Sequence, residues 1–276
     1  DYYASRGLGD VYKRQPHKII SVKKMTDIEY LFRVECPEAK DIKFGQFMQL
    51  SLPKVGECPI SVTDFSAEEQ WAEFLIRKVG VVTDEILELK AGDIIPMRGP
   101  YGKGFDQIDI TGKRVVIVTG GSGIAPVRSL IHYIDRNPDK VKSLELLFGF
   151  KDEEAILFKD EIIEWRKRNP MILTVDKGCG IDGECVGLVT EYVPHLKLVS
   201  EGFDDVEVII VGPPNMMKYT ALSFEEIGVP KERIWLSFER KMSCAVGKCG
   251  HCRIDEVYVC LDGPVFNYTQ AKYMVD

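Results

Sequence analysis

VVIVTGGSGIAPVRSLI, residues 115–131, decides the fold. It joins a run of buried-type residues to a glycine-rich turn and the start of a helical pattern. Pro126 suits a first helical turn. Such a turn presents backbone N–H groups to a phosphate at a helix N-terminus, and Gly120, Gly121 and Gly123 leave room for a pyrophosphate, with Ile124, Ala125 and Pro126 opening the helix. Pro126 stands where the dinucleotide fingerprint carries its third glycine, so a tight structural turn accounts for the pattern equally well. Further apolar strands follow at 144–150, 171–175 and 206–212, alternating with helical patterns near 127–135, 155–168, 190–195 and 215–227. That alternation predicts a parallel α/β sheet. VEVIIVG (206–212) ends in Gly212-Pro213-Pro214 and again runs into a helix. Two such turns lie at the carboxyl ends of strands, where open sheets bind ligands.

Upstream the texture differs. HKIISVKKM, IEYLFRVEC, FMQLSL, PISVTDF, WAEFLIRKV and DIIPMRG are short, roughly alternating segments broken by turn residues. Six of them predict an antiparallel barrel or sandwich. One helix interrupts the set, TDEILELK, with Thr83 expected as its cap. Downstream, CAVGKCGHC (244–252) and Cys260 place half of the 8 cysteines in one short segment. The spacing C-x4-C-x2-C is that of a plant-type [2Fe–2S] site, with a shorter gap to the fourth cysteine. Structural zinc is the alternative, but it is usually built from two C-x2-C knuckles and only one is present. His251 lies between ligands that are already four in number, so it is expected beside the cluster or exposed.

Composition sets limits. The net charge of −7 gives no basic face for nucleic acid, and no apolar run is long enough to span a membrane. Asp1 to Gln15, without an apolar core or an initiator Met, is taken as a non-native leader and excluded from the fold. No export signal is seen, so the thiols are expected to be reduced or metal-bound in a cytoplasmic protein. The expected division is leader 1–15, barrel 16–111, α/β domain 112–230 and cysteine segment 231–276.

GGSGIAP followed by VGPPNMM resembles the ferredoxin–NADP reductase superfamily, in which an FAD-binding barrel precedes a nicotinamide-binding domain. The resemblance covers nearly everything from His17 onward. It implies that Cys58-Pro59-Ile60-Ser61 is the flavin-holding strand, although Cys58 stands where the family carries arginine and a charged partner for the pyrophosphate is lost. Leu75, Ile76 and Arg77 in FLIRKVG, with Gly80, Val82 and Thr83 in the following turn, are the compensating candidates for FAD. Barrel, nicotinamide domain and terminal cluster together resemble electron-transfer subunits of multi-subunit oxidoreductases. The tail looks most similar to the electron-transfer subunit of anaerobic sulfite reductase, with hydrogenase gamma subunits and the dihydroorotate dehydrogenase electron-transfer subunit as alternatives.

What this implies is an NADH-dependent chain passing electrons through FAD and a [2Fe–2S] cluster to a partner catalytic subunit, a sirohaem sulfite reductase in the first instance. A free-standing reductase of soluble ferredoxin is a further alternative. A zinc-binding scaffold with a vestigial flavin site is the alternative from another class. Hydride transfer needs no general base, and no catalytic acid–base pair is expected. In the family's NADP-specific members Ser-Arg follows the strand matching ILTVD. Asp176 here would accept from ribose hydroxyls and repel a 2′-phosphate, which predicts NADH. Val265, Phe266 and Tyr268 are candidates either for docking a partner or for packing against the cluster loop. Cys179 and Cys185 are read as two free loop thiols or a redox pair.

Overall fold

The computed structural model describes residues 13–178 and 185–274. The chain forms two compact units. One takes Asp1–Gly104 together with Glu239–Pro264; the other takes Phe105–Phe238 and Val265–Asp276. The segment expected as a single piece from 231 onward is therefore shared between them, and Cys179 lies outside the described residues.

The first unit is a closed barrel of β1 (Gln15–Lys24), β2 (Glu29–Glu35), β3 (Phe47–Leu52), β4 (Gly56–Ser66), β5 (Trp71–Arg77) and β6 (Ile94–Tyr101). The strand order is β1-β2-β5-β4-β3-β6. All neighbours pair antiparallel, and each of the six expected strands is present. Alternate residues such as Ile19, Phe32, Leu50, Phe74, Ile76 and Met97 fill one core, each contributing about 1.5–3 kcal/mol by burial. Register shifts at Ile19/Ser21, Phe47/Gln49 and Val62/Asp64 bend the strands enough for closure. The excluded leader overlaps this barrel: Gln15 pairs with Met97, and Arg14 makes an ion pair with Glu57.

The helix after β5 begins earlier than expected. It is α1 (Val81–Ile86), with Gly80 at its N-cap position. Thr83 lies inside the first turn, where its hydroxyl accepts from the N–H groups of Val79 and Gly80 and donates to the Gly80 carbonyl. A threonine can thus cap from within the turn, which the sequence pattern does not distinguish.

The second unit holds β7 (Arg114–Gly120), β8 (Ser143–Phe150), β9 (Met171–Val175), β10 (Cys185–Val186), β11 (Val206–Val211) and β12 (Ile234–Ser237), interleaved with α2 (Ile124–Arg136), α3 (Lys159–Arg168), α4 (Val189–Tyr192), α5 (Leu198–Glu201) and α6 (Pro214–Glu226). In the first unit the cysteine segment adds a small hairpin of β13 (Arg253–Ile254) and β14 (Val257–Tyr258), followed by α7 (Val259–Asp262). The chain then gives the second unit β15 (Val265–Asn267) and α8 (Tyr268–Ala271). The sheet order is β10-β9-β8-β7-β11-β12-β15, parallel except for β15, which runs antiparallel to β12. β7 and β11 are buried along their whole length, as expected of central parallel strands.

β15 corrects one expectation. Val265, Phe266 and Tyr268 are buried. Val265 and Phe266 pair with Ser237 and Leu236 as a sheet edge, so they are not an exposed docking face.

Candidate functional site

The cysteine loop is a chain of tight turns. Gly247 and Gly250 have positive φ, and so does Ala245, a buried non-glycine residue at φ 62. Such strain is tolerated where the surroundings fix the loop. Its effect is to turn backbone N–H groups onto sulfur. Val246, Lys248 and Cys249 donate to Cys244 Sγ at 3.3–3.5 Å, and Gly247 donates to Cys260 Sγ at 3.2 Å. Burial pushes the Cys260 thiol up, and its neighbours Cys252 and Cys244 add to this. For Cys249 burial also works upward, but backbone hydrogen bonds around His251, Cys244 and Ser243 outweigh it and hold the thiol below its usual range. Cys249 thus interacts with Cys244, and Cys260 with Cys252 and Cys244; Cys252 and Cys260 are buried, Cys244 half-buried and Cys249 exposed. Amide donors aimed at two of these thiols suit a cluster whose charge is shared by N–H···S bonds. His251 is exposed and shares a 2.9 Å hydrogen bond with the Ser243 hydroxyl.

A residue not foreseen from sequence holds this loop. Arg98 of β6 is buried and donates to the carbonyls of Ser243 at 2.7 Å and Cys244 at 2.8 Å. Its guanidinium also binds Glu57 through Nε at 3.0 Å and through a second, shorter contact. Burial pushes the Glu57 carboxyl up, but hydrogen bonds from Arg98, Ser51 and Arg14 and the charge of Arg98 bring it below the usual carboxylate range. Glu57 directly precedes Cys58, so one guanidinium ties the expected flavin strand to the cysteine loop.

On that strand Cys58, Pro59, Ile60 and Ser61 are all half-buried. Cys58 and Ile60 pack against the barrel core, and burial pushes the Cys58 thiol up to about 12. A neutral, core-facing thiol cannot stand in for an arginine. On the adjacent strand Ile76 is fully buried and Leu75 nearly so, so Ile76 faces the core and offers a ligand only its backbone. Arg77 is half exposed, with Glu29 at 3.5 Å. Gly80 opens onto empty space, between the exposed Val79 and Val81. Val82 lies over Gly56, where a Cβ would approach its side chain to 2.9 Å. Two of the turn's N–H groups, those of Val79 and Gly80, are taken by Thr83. The first-turn amides of α1 have no carbonyl within the helix. An exposed guanidinium, an open glycine and free helical amides suit a pyrophosphate.

In the second unit the two glycine turns meet, because β7 and β11 run side by side with Thr119 opposite Val211. A Cβ on Gly123 would lie 2.7 Å from the Val211 carbonyl carbon and 2.9 Å from Gly212 Cα. A Cβ on Gly120 would meet Pro213 at 3.0 Å, and one on Gly212 would meet Met216 Sδ at 2.7 Å. Gly123 is therefore required by contact between the turns, while a side chain at Gly120 or Gly212 would have to displace Pro213 or Met216. Gly121 differs: its φ is +54 and the space beside it is open. Ile124, Ala125 and Pro126 form the buried first turn of α2, and Pro214 opens α6 directly after Pro213. At the same edge of the sheet the hydroxyls of Thr119 and Thr174 are buried without a hydrogen-bond partner. Asp176, just past β9, is exposed, and its N–H donates to the Phe150 carbonyl. A polar ligand on glycine backbone at a strand's carboxyl end fits this arrangement. Among the described residues no helix is long and apolar enough to cross a membrane.

Barrel, parallel sheet and cysteine segment define a class: reductases of the ferredoxin–NADP reductase-like fold that carry an iron–sulfur segment. Residues 117–221 match the oxidoreductase NAD-binding domain family, and residues 239–272 match the iron–sulfur cluster binding domain of dihydroorotate dehydrogenase B. The chain is 35% identical to sulfhydrogenase 2 subunit gamma of Pyrococcus furiosus, over 94% of this chain and 96% of the relative. It is 34% identical to a probable dihydroorotate dehydrogenase B (NAD(+)) electron transfer subunit of Methanocaldococcus jannaschii, over 85% and 82%. The chain belongs to the family that these gamma and electron-transfer subunits form. The structure resembles that of an NADH-dependent reduced ferredoxin-NADP oxidoreductase, with a TM-score of 0.77, 27% identity and coverage of 92% of this chain and 88% of that one. A ferredoxin NADP+ reductase of Neisseria gonorrhoeae shares the fold at a TM-score of 0.70 and 19% identity, over 81% and 98%. The first expectation for the partner, sulfite reductase, finds no support among these relatives. The hydrogenase and dihydroorotate dehydrogenase alternatives do.

Proposed function

We propose that this chain is an electron-transfer subunit that oxidises NADH through FAD and a [2Fe–2S] cluster, and passes the electrons to a catalytic subunit of hydrogenase type. The observation that carries this is the cysteine loop, whose backbone N–H groups point at the sulfurs of Cys244 and Cys260. When bound, the flavin converts a two-electron hydride into single electrons that a cluster can accept.

In this account Cys244, Cys249, Cys252 and Cys260 hold the cluster, and the exposed Cys249 marks the side a partner reaches. Ser61, the backbone of Leu75 and Ile76, Arg77 and the Gly80–Thr83 turn hold FAD, with Arg77 neutralising the pyrophosphate that Cys58 cannot. Gly121 and the first turn of α2 receive the NADH pyrophosphate, and Asp176 accepts from a ribose hydroxyl. The partner assignment is supported by the sulfhydrogenase gamma relatives, which align over 94% and 91% of this chain. A dihydroorotate dehydrogenase partner is the second reading, favoured by the match of residues 239–272.

Reconstitution is the test. Anaerobically purified protein should contain FAD, iron and acid-labile sulfide, reduce dyes with NADH in preference to NADPH, and evolve no hydrogen alone. Adding the partner subunits encoded beside it should yield NADH-linked hydrogen evolution. Oxidation of dihydroorotate instead would keep the electron-transfer role and change the partner. Stoichiometric zinc in place of iron would overturn the role itself.

A further inference from the structure

Away from the cysteine loop, the first unit contains a second group of metal-type donors. His17 of β1, Cys36 directly after β2 and Glu38 in the following turn bring one nitrogen, one sulfur and one carboxylate oxygen within 4.8 Å of one another. His17 and Cys36 are buried, whereas the Glu38 side chain keeps 24% of its exposure. The turn Pro37–Asp41 carries Glu38 back toward Cys36, and pairing of His17 with Ile95 places the ring at the β1–β6 seam that closes the barrel.

The hydrogen bonds of the histidine aim its Nε2 into this group. Nδ1 lies 2.7 Å from the Gln15 carbonyl. A carbonyl only accepts, so Nδ1 carries a proton. Nε2 then faces Glu38 Oε2, 3.0 Å away, so either a proton on Nε2, giving an imidazolium–carboxylate pair, or a metal ion lies between them. Cys36 Sγ lies 3.7 Å from the same oxygen. A histidine whose Nδ1–H is fixed by a backbone carbonyl is the usual arrangement of a metal ligand. Tetrahedral zinc, at about 2.3 Å from sulfur and about 2.0 Å from nitrogen and oxygen, spaces its donors by roughly 3.3–3.6 Å.

We propose that His17, Cys36 and Glu38 form a binding site for a zinc-type divalent cation, with water as its fourth ligand on the exposed side of Glu38. Donor chemistry selects the ion: one thiolate, one imidazole and one carboxylate suit zinc better than calcium or magnesium. Zinc takes the sulfur as thiolate, so binding releases the thiol proton and affinity rises with pH. The bound ion would tie β1 to the turn after β2.

Zinc X-ray absorption on the full chain, loaded with flavin and cluster, separates this site from zinc lodged among the cluster cysteines. One sulfur with two or three nitrogen or oxygen neighbours is expected, against four sulfurs for the loop. Titration after chelator treatment should give one zinc per chain. Glu38→Gln, at the half-exposed position where folding is least at risk, should weaken binding at least about tenfold. Cys36→Ser should also remove the sulfur neighbour from the spectrum. No retained zinc, a four-sulfur shell, or binding unmoved by both substitutions would each overturn the proposal.

Discussion

The cysteine loop and the paired glycine turns are both glycine-bearing loops, and they are held by opposite means. A charged side chain reaches from the barrel to two carbonyls of the cysteine loop. The glycine turns are held by missing side chains, so that the backbone of one lies against the other. The first arrangement leaves the loop's N–H groups free for sulfur, and the second leaves only Gly121 open. A glycine in the cysteine loop shapes the backbone, whereas most glycines of the sheet-edge turn only make room. Substitutions should therefore fail for different reasons in the two places.

The largest effect is expected at the side-chain anchor. Arg98→Met removes both carbonyl contacts and leaves the half-buried Glu57 to Arg14 and Ser51 alone; hydrogen bonds to a charged group contribute about 1.5–3 kcal/mol each, so losing several should cost about 3–5 kcal/mol. Denaturation of the intact protein measures this, and the cluster's EPR signal should broaden or be lost with it. Combining Arg98→Met with Glu57→Gln should recover part of the stability but not the EPR signal, because the loop stays unanchored. Full recovery of both would mean that Arg98 serves Glu57 alone.

Gly123→Ala comes next. Its φ is ordinary at −60, so only space opposes the change. The obstructing atoms are backbone, which cannot swing aside as a side chain would. Overpacking of this kind costs about 1–3 kcal/mol, and binding of NADH should weaken while cluster iron is retained. Loss of iron in this variant would contradict the separation of the two regions.

A smaller effect is expected in the acid response of the side-chain anchor. Glu57 is held below the usual carboxylate range in the folded protein. Its contribution is present above the unfolded pKa of about 4.3 and lost as pH falls through the lower folded value. Stability measured between roughly pH 5 and 3 should fall less steeply in Glu57→Gln than in the unmodified protein. Equal slopes would mean that the carboxylate contributes nothing to the anchor.

Legibility in the sequence followed the same division. The cysteine spacing and the glycine turns are local patterns, and the six barrel strands and the central sheet strands follow from periodicity. Arg98 was invisible because its carbonyl partners lie 145 and 146 residues away, and IIPMRG reads only as a strand. β15 was missed because three residues carry no period, and GPVFNY looks equally like a surface. Ile76 and Leu75 differ in what they offer a ligand only once the strand has a face. The His17 group joins residues from two segments that no spacing rule connects.

The smallest effect tests the contrast most directly, because it applies the same change to both loops. Gly121 has φ +54 and Gly250 has φ +83, with open space beside each. Alanine at either position therefore meets no atom and incurs only the left-handed backbone penalty, about 1 kcal/mol. Stability should fall alike in the two variants. Function should divide: Gly121→Ala raises KM for NADH in dye reduction and leaves iron content unchanged, because the backbone it perturbs faces the nicotinamide turn. Gly250→Ala lowers cluster retention and leaves KM for NADH unchanged, because its turn sets the path between Cys249 and Cys252. Equal losses of iron in both variants, or equal rises in KM, would show that the loops work as one element rather than two.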